Sequence, residues 1–164
     1  MAVRAAGAAD LAAVSGIFAW YVEHTVATFE ESPRDGSEWS ALLVRLAGLD
    51  LPFLVAEADG VIGGYAYASP WRGKPSYRHT VEDSVFVAHD QVGRGLGRTL
   101  LGDLLDGCAK SGARQMVAVI ADTGEPQSVA LHEAFGFTVA GRLKEVGYKH
   151  GRWVDTILMQ RPIR

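Results

Sequence analysis

Apolar residues recur at helical spacing through the first third of the chain. Leu11, Val14, Ile17, Phe18, Tyr21 and Val22 form one stripe behind Asp10, a residue type suited to an N-cap, and predict a helix to about His24. After the turn signal Pro33-Arg34-Asp35-Gly36, the residues Trp39, Leu42, Leu43 and Leu46 mark a second helix that Gly48 closes. The period then drops to that of strands. Phe53–Ala58 and Val61–Tyr67 flank Asp59-Gly60, a strong antiparallel hairpin signal. The Pro/Gly/Lys-rich stretch Ser69–Ser76 reads as a loop and Thr80–Val87 as a strand. From about Gly95 to Ser111 the apolar face Gly97, Leu100, Leu101, Leu104, Leu105 and Cys108 predicts a third helix, ended by Gly112.

An apolar strand, Gln115–Ile120, follows, then a short helix, Pro126–Phe135, capped by Gly136. Strands Phe137–Tyr148 and Arg152–Gln160, joined at Lys149-His150-Gly151, finish the chain. With no internal repeat or linker, the order α, α, β, β, β, α, β, α, β, β predicts a single α/β domain over residues 1–164. It would have a central mixed sheet with helices on both faces.

Composition narrows the function classes. The chain has 164 residues, 48% apolar and 21% charged, enough to bury one core. A net charge of −3 with scattered Lys and Arg excludes a nucleic-acid surface. No apolar run is long enough for a membrane span, and the Ala-rich start lacks a signal peptide's apolar centre, so a cytoplasmic protein is expected. The single cysteine rules out an internal disulfide, and on its apolar helix face Cys108 reads as packing. No metal is implied, because the five histidines lack ligand spacing.

The strand Thr80–Val87 runs into Gln91-Val92-Gly93-Arg94-Gly95-Leu96-Gly97 and then into a helix. Glycine lets the backbone bend with no Cβ in the way, so successive N–H groups can converge on one anion, and the helix start adds unpaired amides. Arg94 can add charge to the same phosphates, so the loop fits a pyrophosphate cradle. A dinucleotide fingerprint would need glycine where Arg98 stands, and a Walker loop would need Gly-Lys-Ser/Thr. A ligand-free strand-to-helix turn remains open at this level.

Three motifs in order carry a family resemblance that covers nearly the whole chain. They are Thr80-Val81-Glu82-Asp83-Ser84-Val85-Phe86-Val87, Leu131-His132-Glu133-Ala134-Phe135-Gly136-Phe137 and Gly147-Tyr148-Lys149-His150-Gly151-Arg152-Trp153-Val154-Asp155. The chain resembles GNAT N-acetyltransferases, and within them the phosphinothricin and methionine-sulfoximine acetyltransferase subfamily. The resemblance implies the GNAT fold, with a mixed, mostly antiparallel twisted sheet, acetyl-CoA as cofactor, a small-molecule amine acceptor and a homodimer. It assigns cofactor contacts to Val85, Phe86 and Val87, to Val92, Gly93, Arg94, Gly95, Leu96, Gly97 and Arg98, and to Glu125 and Ser128. Two positions depart from the pattern: Val92 stands where Gln or Arg is usual, and Glu125 where Asn often bonds the cofactor arm.

Acetyl transfer to an amine needs a base for the amine proton and an acid for the departing thiolate. The resemblance places Glu82 as the base and His132, where a tyrosine is frequent, as the acid; histidine can serve near neutral pH. Arg72 and Arg78 match arginines that would grip an acceptor carboxylate in a two-pronged way, and Phe29 and Glu31 lie in the segment that lines the acceptor pocket. Taken singly, these residues also fit a solvated carboxylate, a packing histidine, surface arginines and a core aromatic. Trp153 and Asp155 read as structural or dimer-forming. Other amine acceptors, such as a peptide N-terminus, a polyamine or an aminoglycoside, and a non-catalytic acetyl-CoA-binding module stay as alternatives.

Overall fold

Strand pairing gathers the predicted segments into one seven-stranded sheet in the computed structural model, which describes residues 1–164. In chain order the elements are β1 (Ala2–Ala5), α1 (Leu11–His24), α2 (Gly36–Gly48), β2 (Phe53–Ala58), β3 (Val61–Pro70), β4 (Thr80–Val87) and α3 (Leu96–Lys110). Then come β5 (Gln115–Ala121), α4 (Gln127–Ala134), β6 (Thr138–Lys149) and β7 (Arg152–Pro162). The strand order is β1-β2-β3-β4-β5-β7-β6, and only β4 and β5 pair in parallel. The hairpin at Asp59-Gly60 turns with φ of 54° and 76°, the paired positive values its tight turn requires.

Alternation along the strands sorts two cores. Ala66, Ala68, Val81, Met116 and Ala118 face α3, whose Leu96, Leu100, Leu101, Leu104 and Cys108 bury against them. Tyr65, Tyr67, Phe53 and Val55 point the other way, onto Val14, Phe18 and Val22 of α1 and Trp39 and Leu46 of α2. Helices therefore cover both faces, as the pattern predicted. The approach of α3 depends on small residues in β3, because a Cβ on Gly63 would lie 2.9 Å from Leu96 Cδ1. Burial pushes the Cys108 thiol up to about 12, so it is inert packing.

Two expectations are corrected. An N-terminal strand, β1, was not foreseen; its four residues carry little pattern and become a strand by pairing Ala2–Ala5 with Glu57–Leu54 of β2. Asp10 does not cap α1. It sits in αR conformation at the end of a 3-10 turn, and its carboxylate accepts from Gly7 N at 2.8 Å and from two Arg4 nitrogens at 2.8 Å each. Arg4 also bonds Glu57, so this one guanidinium ties β1 to β2 and, through Asp10, to the start of α1. A working capping box instead opens α2, where Asp35 accepts from Glu38 N and Glu38 returns a bond to Asp35 N.

Candidate active site

Parallel pairing between β4 and β5 stops early. Only Thr80–Glu82 pairs with Gln115–Val117; beyond it, β4 stays paired to β3 alone and β5 to β7 alone. The strands thus part at Asp83 and leave a wedge whose β4 wall, through Ser84 to Val87, presents backbone groups without strand partners. Val85 and Val87 pack toward the α3 core and Phe86 toward the α1 core. Of the expected cofactor positions, Val85 and Val87 therefore turn backbone, not side chains, to the wedge, with Val87 O already accepting from Tyr21 Oη at 2.6 Å, while the Phe86 backbone is paired to Tyr65 of β3.

The glycine loop lies at the wide end of the wedge. Gly93 and Gly95 take φ of 84° and 82°, left-handed values that favour glycine. No backbone acceptor in the protein takes the amides of Val92 to Arg98, and Thr99 N is the first to bond back, to Gly95 O at 3.1 Å. Leu96 contributes only its amide, since its side chain is buried under the loop. Arg94 bonds Gln91 Oε1 and lies 3.8 Å from Asp59, and Arg98 stacks on Phe135. A run of free amides at the start of a long helix, beside an unpaired strand edge, fits a pyrophosphate with an extended arm.

Glu82 is the last paired residue before the wedge opens, on the face that carries α1 and α2. It is half-buried in a central strand, not the solvated edge carboxylate that was the alternative. Burial, then the charge of Asp83, hold its carboxyl above the usual range, with Arg72 pulling the other way. Arg72, stacked on Trp71, is the arginine whose charge reaches Glu82, without a hydrogen bond or ion pair between them. Arg78 is turned outward and bonds Pro75 O, so only one of the two expected arginines is brought there.

His132 needs correction. It does not present a free ring nitrogen: Nε2 is 2.8 Å from Asp83 Oδ2 and Nδ1 is 2.7 Å from Ser128 O, with the ring edge-on to Phe137. Ser128 O can only accept, so Nδ1 carries a proton, and Nε2 shares a hydrogen bond with the Asp83 carboxyl. Burial opposes a charge on the ring, and the bond and charge of Asp83 outweigh it, holding the ring above its ordinary value. The pair is almost fully buried, at 5% and 2% side-chain exposure, and Asp83 Oδ1 has no partner. Asp83 was not singled out from the sequence, although period-two alternation puts it on the face opposite Glu82.

The segment between α1 and α2 that was expected to line the acceptor pocket is held by the end of β6. Phe29 lies against the bare backbone of Gly147, where a Cβ would meet its ring at 2.4 Å, and buried Lys149 donates from Nζ to Thr28 O at 2.8 Å. Burial keeps Lys149 below its usual value against the pull of Glu31 and Glu30. Phe29 and Glu31 are exposed at this segment's surface. Glu125 is exposed, with its amide on Thr123 Oγ1, and exposed Ser128 serves His132 through its carbonyl. No helix is long and apolar enough to cross a membrane, and no cluster of three potential metal ligands occurs.

A wedge between two parallel strands, closed by an amide-rich loop and flanked by an unbonded carboxylate, defines an acyl-transfer architecture. The chain belongs to the Acetyltransferase (GNAT) domain family, which matches residues 3–158. It is 48% identical over 154 residues to a phosphinothricin N-acetyltransferase of Alcaligenes faecalis, covering 94% of this chain and 78% of that one. Over 160 residues it is 39% identical to the L-methionine sulfoximine/L-methionine sulfone acetyltransferase of Salmonella typhimurium, covering 98% and 93%. Among solved structures, a putative acetyltransferase from Salmonella typhimurium with its cofactor acetyl-CoA superposes with a TM-score of 0.96 at 38% identity, over 100% of this chain and 94% of that one.

Proposed function

We propose that the chain, acting over residues 1–164 as one catalytic domain, transfers acetyl from acetyl-CoA to the α-amine of a small amino-acid acceptor of the phosphinothricin, methionine sulfoximine or methionine sulfone kind. The observation that carries this reading is Glu82 at the apex of the wedge, with no hydrogen bond holding it, a raised carboxyl pKa and the charge of Arg72 within electrostatic reach. A non-catalytic binding module would have no use for such a carboxylate. A polycationic acceptor would be repelled by Arg72.

In this reading the amides of Val92 to Arg98 hold the pyrophosphate and the free β4 edge holds the arm. When bound, acetyl-CoA supplies an acetyl group activated as a thioester. Arg72 grips the acceptor carboxylate and so orients the amine at the wedge apex. Glu82 removes a proton from that amine; its raised pKa brings it closer to the ordinary α-amine value of about 8 than a solvated Glu would be. The C–N bond forms as the C–S bond breaks, and the sulfur leaves with the remaining proton. His132 is a positioning residue here. Through Asp83 it anchors α4 to β4 one residue from Glu82, on the opposite face of the sheet.

Two finer points belong to the same proposal. The exposed apolar side chains Val139, Leu143, Val146, Tyr148 and Trp153 on β6 and β7 form the contact of a homodimer, which sedimentation at micromolar concentration should detect. The enzyme works in the cytoplasm, beside its acetyl donor. The deciding experiment is thiol release from acetyl-CoA across amino-acid analogues with and without a free α-carboxylate. Turnover should require the carboxylate, and Arg72→Ala should raise KM for the acceptor far more than for acetyl-CoA; turnover indifferent to the carboxylate sinks the proposal.

A further inference from the structure

A second cation stands over the acceptor face without a carboxylate bonded to it. Arg34, in the turn before α2, has its guanidinium carbon 4.9 Å from the ring centre of Phe18 and 4.8 Å from that of Trp39, and donates from Nη1 to Tyr67 Oη at 3.1 Å. Its remaining N–H groups have no partner in the protein. Stacking on two buried rings holds the plane of the guanidinium and leaves its edge free to bond.

Sheet register ties this arginine to the proposed base. Tyr67 lies directly across from Ser84, and Ser69 across from Glu82, so Tyr67 and Glu82 are diagonal neighbours on one face. The stacking of Tyr65 on Phe86, the next pair along, confirms the shared face, with ring centres 5.5 Å apart. Diagonal neighbours stand about 7–8 Å apart at the backbone, a span suited to a short amino-acid side chain.

Hydrogen-bond accounting identifies the chemistry. Tyr67 Oη accepts from Arg34, so its own proton is free. The next tyrosine on the face, Tyr65, is fully buried with a hydroxyl that has no partner, and its ring runs parallel to that of Tyr67, with an interplanar angle of 11°. The buried indole N–H of Trp39 under the guanidinium is also unpartnered. The cluster thus offers a cation with no carboxylate bonded to it, beside hydroxyl and indole protons without partners, which is the inventory an anion needs. Arg34 itself is reached from solvent through an open groove of about 460 Å³ that also carries Glu30, Glu38 and Arg45.

We infer that Arg34, with the hydroxyl of Tyr67, is an oxyanion subsite that takes the distal acid group of an amino-acid acceptor whose amine lies at Glu82. This rests on the function proposed above and deepens it. Arg72 serves the α-carboxylate and Arg34 the second acid, so the enzyme prefers acceptors that carry a distal anion over neutral isosteres.

The test compares phosphinothricin, whose distal phosphinate is anionic, with methionine sulfone, whose distal group is neutral. In Arg34→Gln, KM for phosphinothricin should rise about 10- to 100-fold, the range for a lost charge-assisted hydrogen bond, while KM for methionine sulfone and acetyl-CoA moves less than about threefold. Arg34→Lys should recover part of the loss. Tyr67→Phe removes only a hydroxyl and should show the same selective shift, smaller in size, which keeps the test open should Arg34→Gln melt early. Equal shifts for both acceptors would make Arg34 a loop anchor and overturn the inference, as would no shift. A parent enzyme that turns over neither acceptor would fell the proposed function itself, a failure visible before any variant is made.

Discussion

Replacing His132 with leucine should reveal what the buried pair contributes. The variant removes the 2.8 Å contact to Asp83 and the 2.7 Å contact to Ser128 O, and leaves Asp83 with neither oxygen bonded at 2% side-chain exposure. Breaking a buried pair by removing one partner costs about 3–5 kcal/mol, because the stranded charge keeps its desolvation penalty. For a chain of this length about 1 kcal/mol moves Tm by 2–4 °C, so the expected loss is about 6–20 °C by calorimetry. Asp83→Asn in the His132→Leu background removes the stranded charge. The double variant should therefore be more stable than the sum of the single losses implies, by about 0.5–3 kcal/mol.

The pH dependence has a definite sign. The His132 ring is held above its ordinary value of 6.5 in the folded state. Its contribution is therefore complete below the unfolded value and is lost as pH rises through the higher folded value. The Tm gap between the parent and His132→Leu should be widest near pH 6 and should shrink above it. A gap under about 2 °C, or one that widens with rising pH, would refute the ion-pair reasoning.

Other outcomes follow from the same geometry. Glu82→Gln should lower kcat about 10²- to 10⁴-fold while the Kd for acetyl-CoA, read by calorimetric titration, stays within twofold; an unchanged kcat removes Glu82 from the chemistry. In the parent, the acid limb of kcat/KM should fall at a pH above that of an ordinary glutamate, since burial and Asp83 raise the Glu82 carboxyl. Gly95→Ala imposes a side chain on φ of 82°, which costs about 1–2 kcal/mol and disturbs the amide run, so KM for acetyl-CoA should rise with acceptor KM little changed. Asp10→Asn should lower Tm by about 2–5 °C at pH 5. Hydrogen bonds from Arg4 and Gly7 hold the Asp10 carboxyl at about 2, so its contribution is present above the unfolded value of 3.8 and is lost as pH falls toward about 2. Parent and variant melting curves should converge at the acid end, and a constant offset there would contradict the assignment.

Local signals carried much of the architecture. The helical stripes of α1, α2 and α3, the Asp59-Gly60 turn and the glycine loop each rest on residues close in sequence, and each formed where the pattern put it. The misses share one cause. Strand β1 exists because Ala2–Ala5 pairs with β2, and Arg4 reaches Asp10 and Glu57 as well, contacts that no window of four residues contains. Asp10 has a suitable residue type for a cap, and a long-range guanidinium took its carboxylate instead. His132 meets Asp83 across 49 residues of sequence, so its helix pattern could show that it packs inward but not what it meets there.

Adjacent acids make the limit of sequence reading concrete. Glu82 and Asp83 look like one acidic pair, yet alternation along β4 sends them to opposite faces of the sheet, the first toward Arg72 and the acceptor side, the second into the α3 core against His132. Their environments then divide them. Asp83 is bonded to the His132 ring, whereas Glu82 keeps an unbonded carboxyl at the point where β4 and β5 separate. Tyr67, from the neighbouring strand, shares the Glu82 face through register alone and carries Arg34 with it. The proposed base and both proposed anion contacts therefore converge because one sheet face collects β4, β3 and the turn before α2, and a shift of β4 by one residue would turn Glu82 into the core and Asp83 toward the proposed acceptor side.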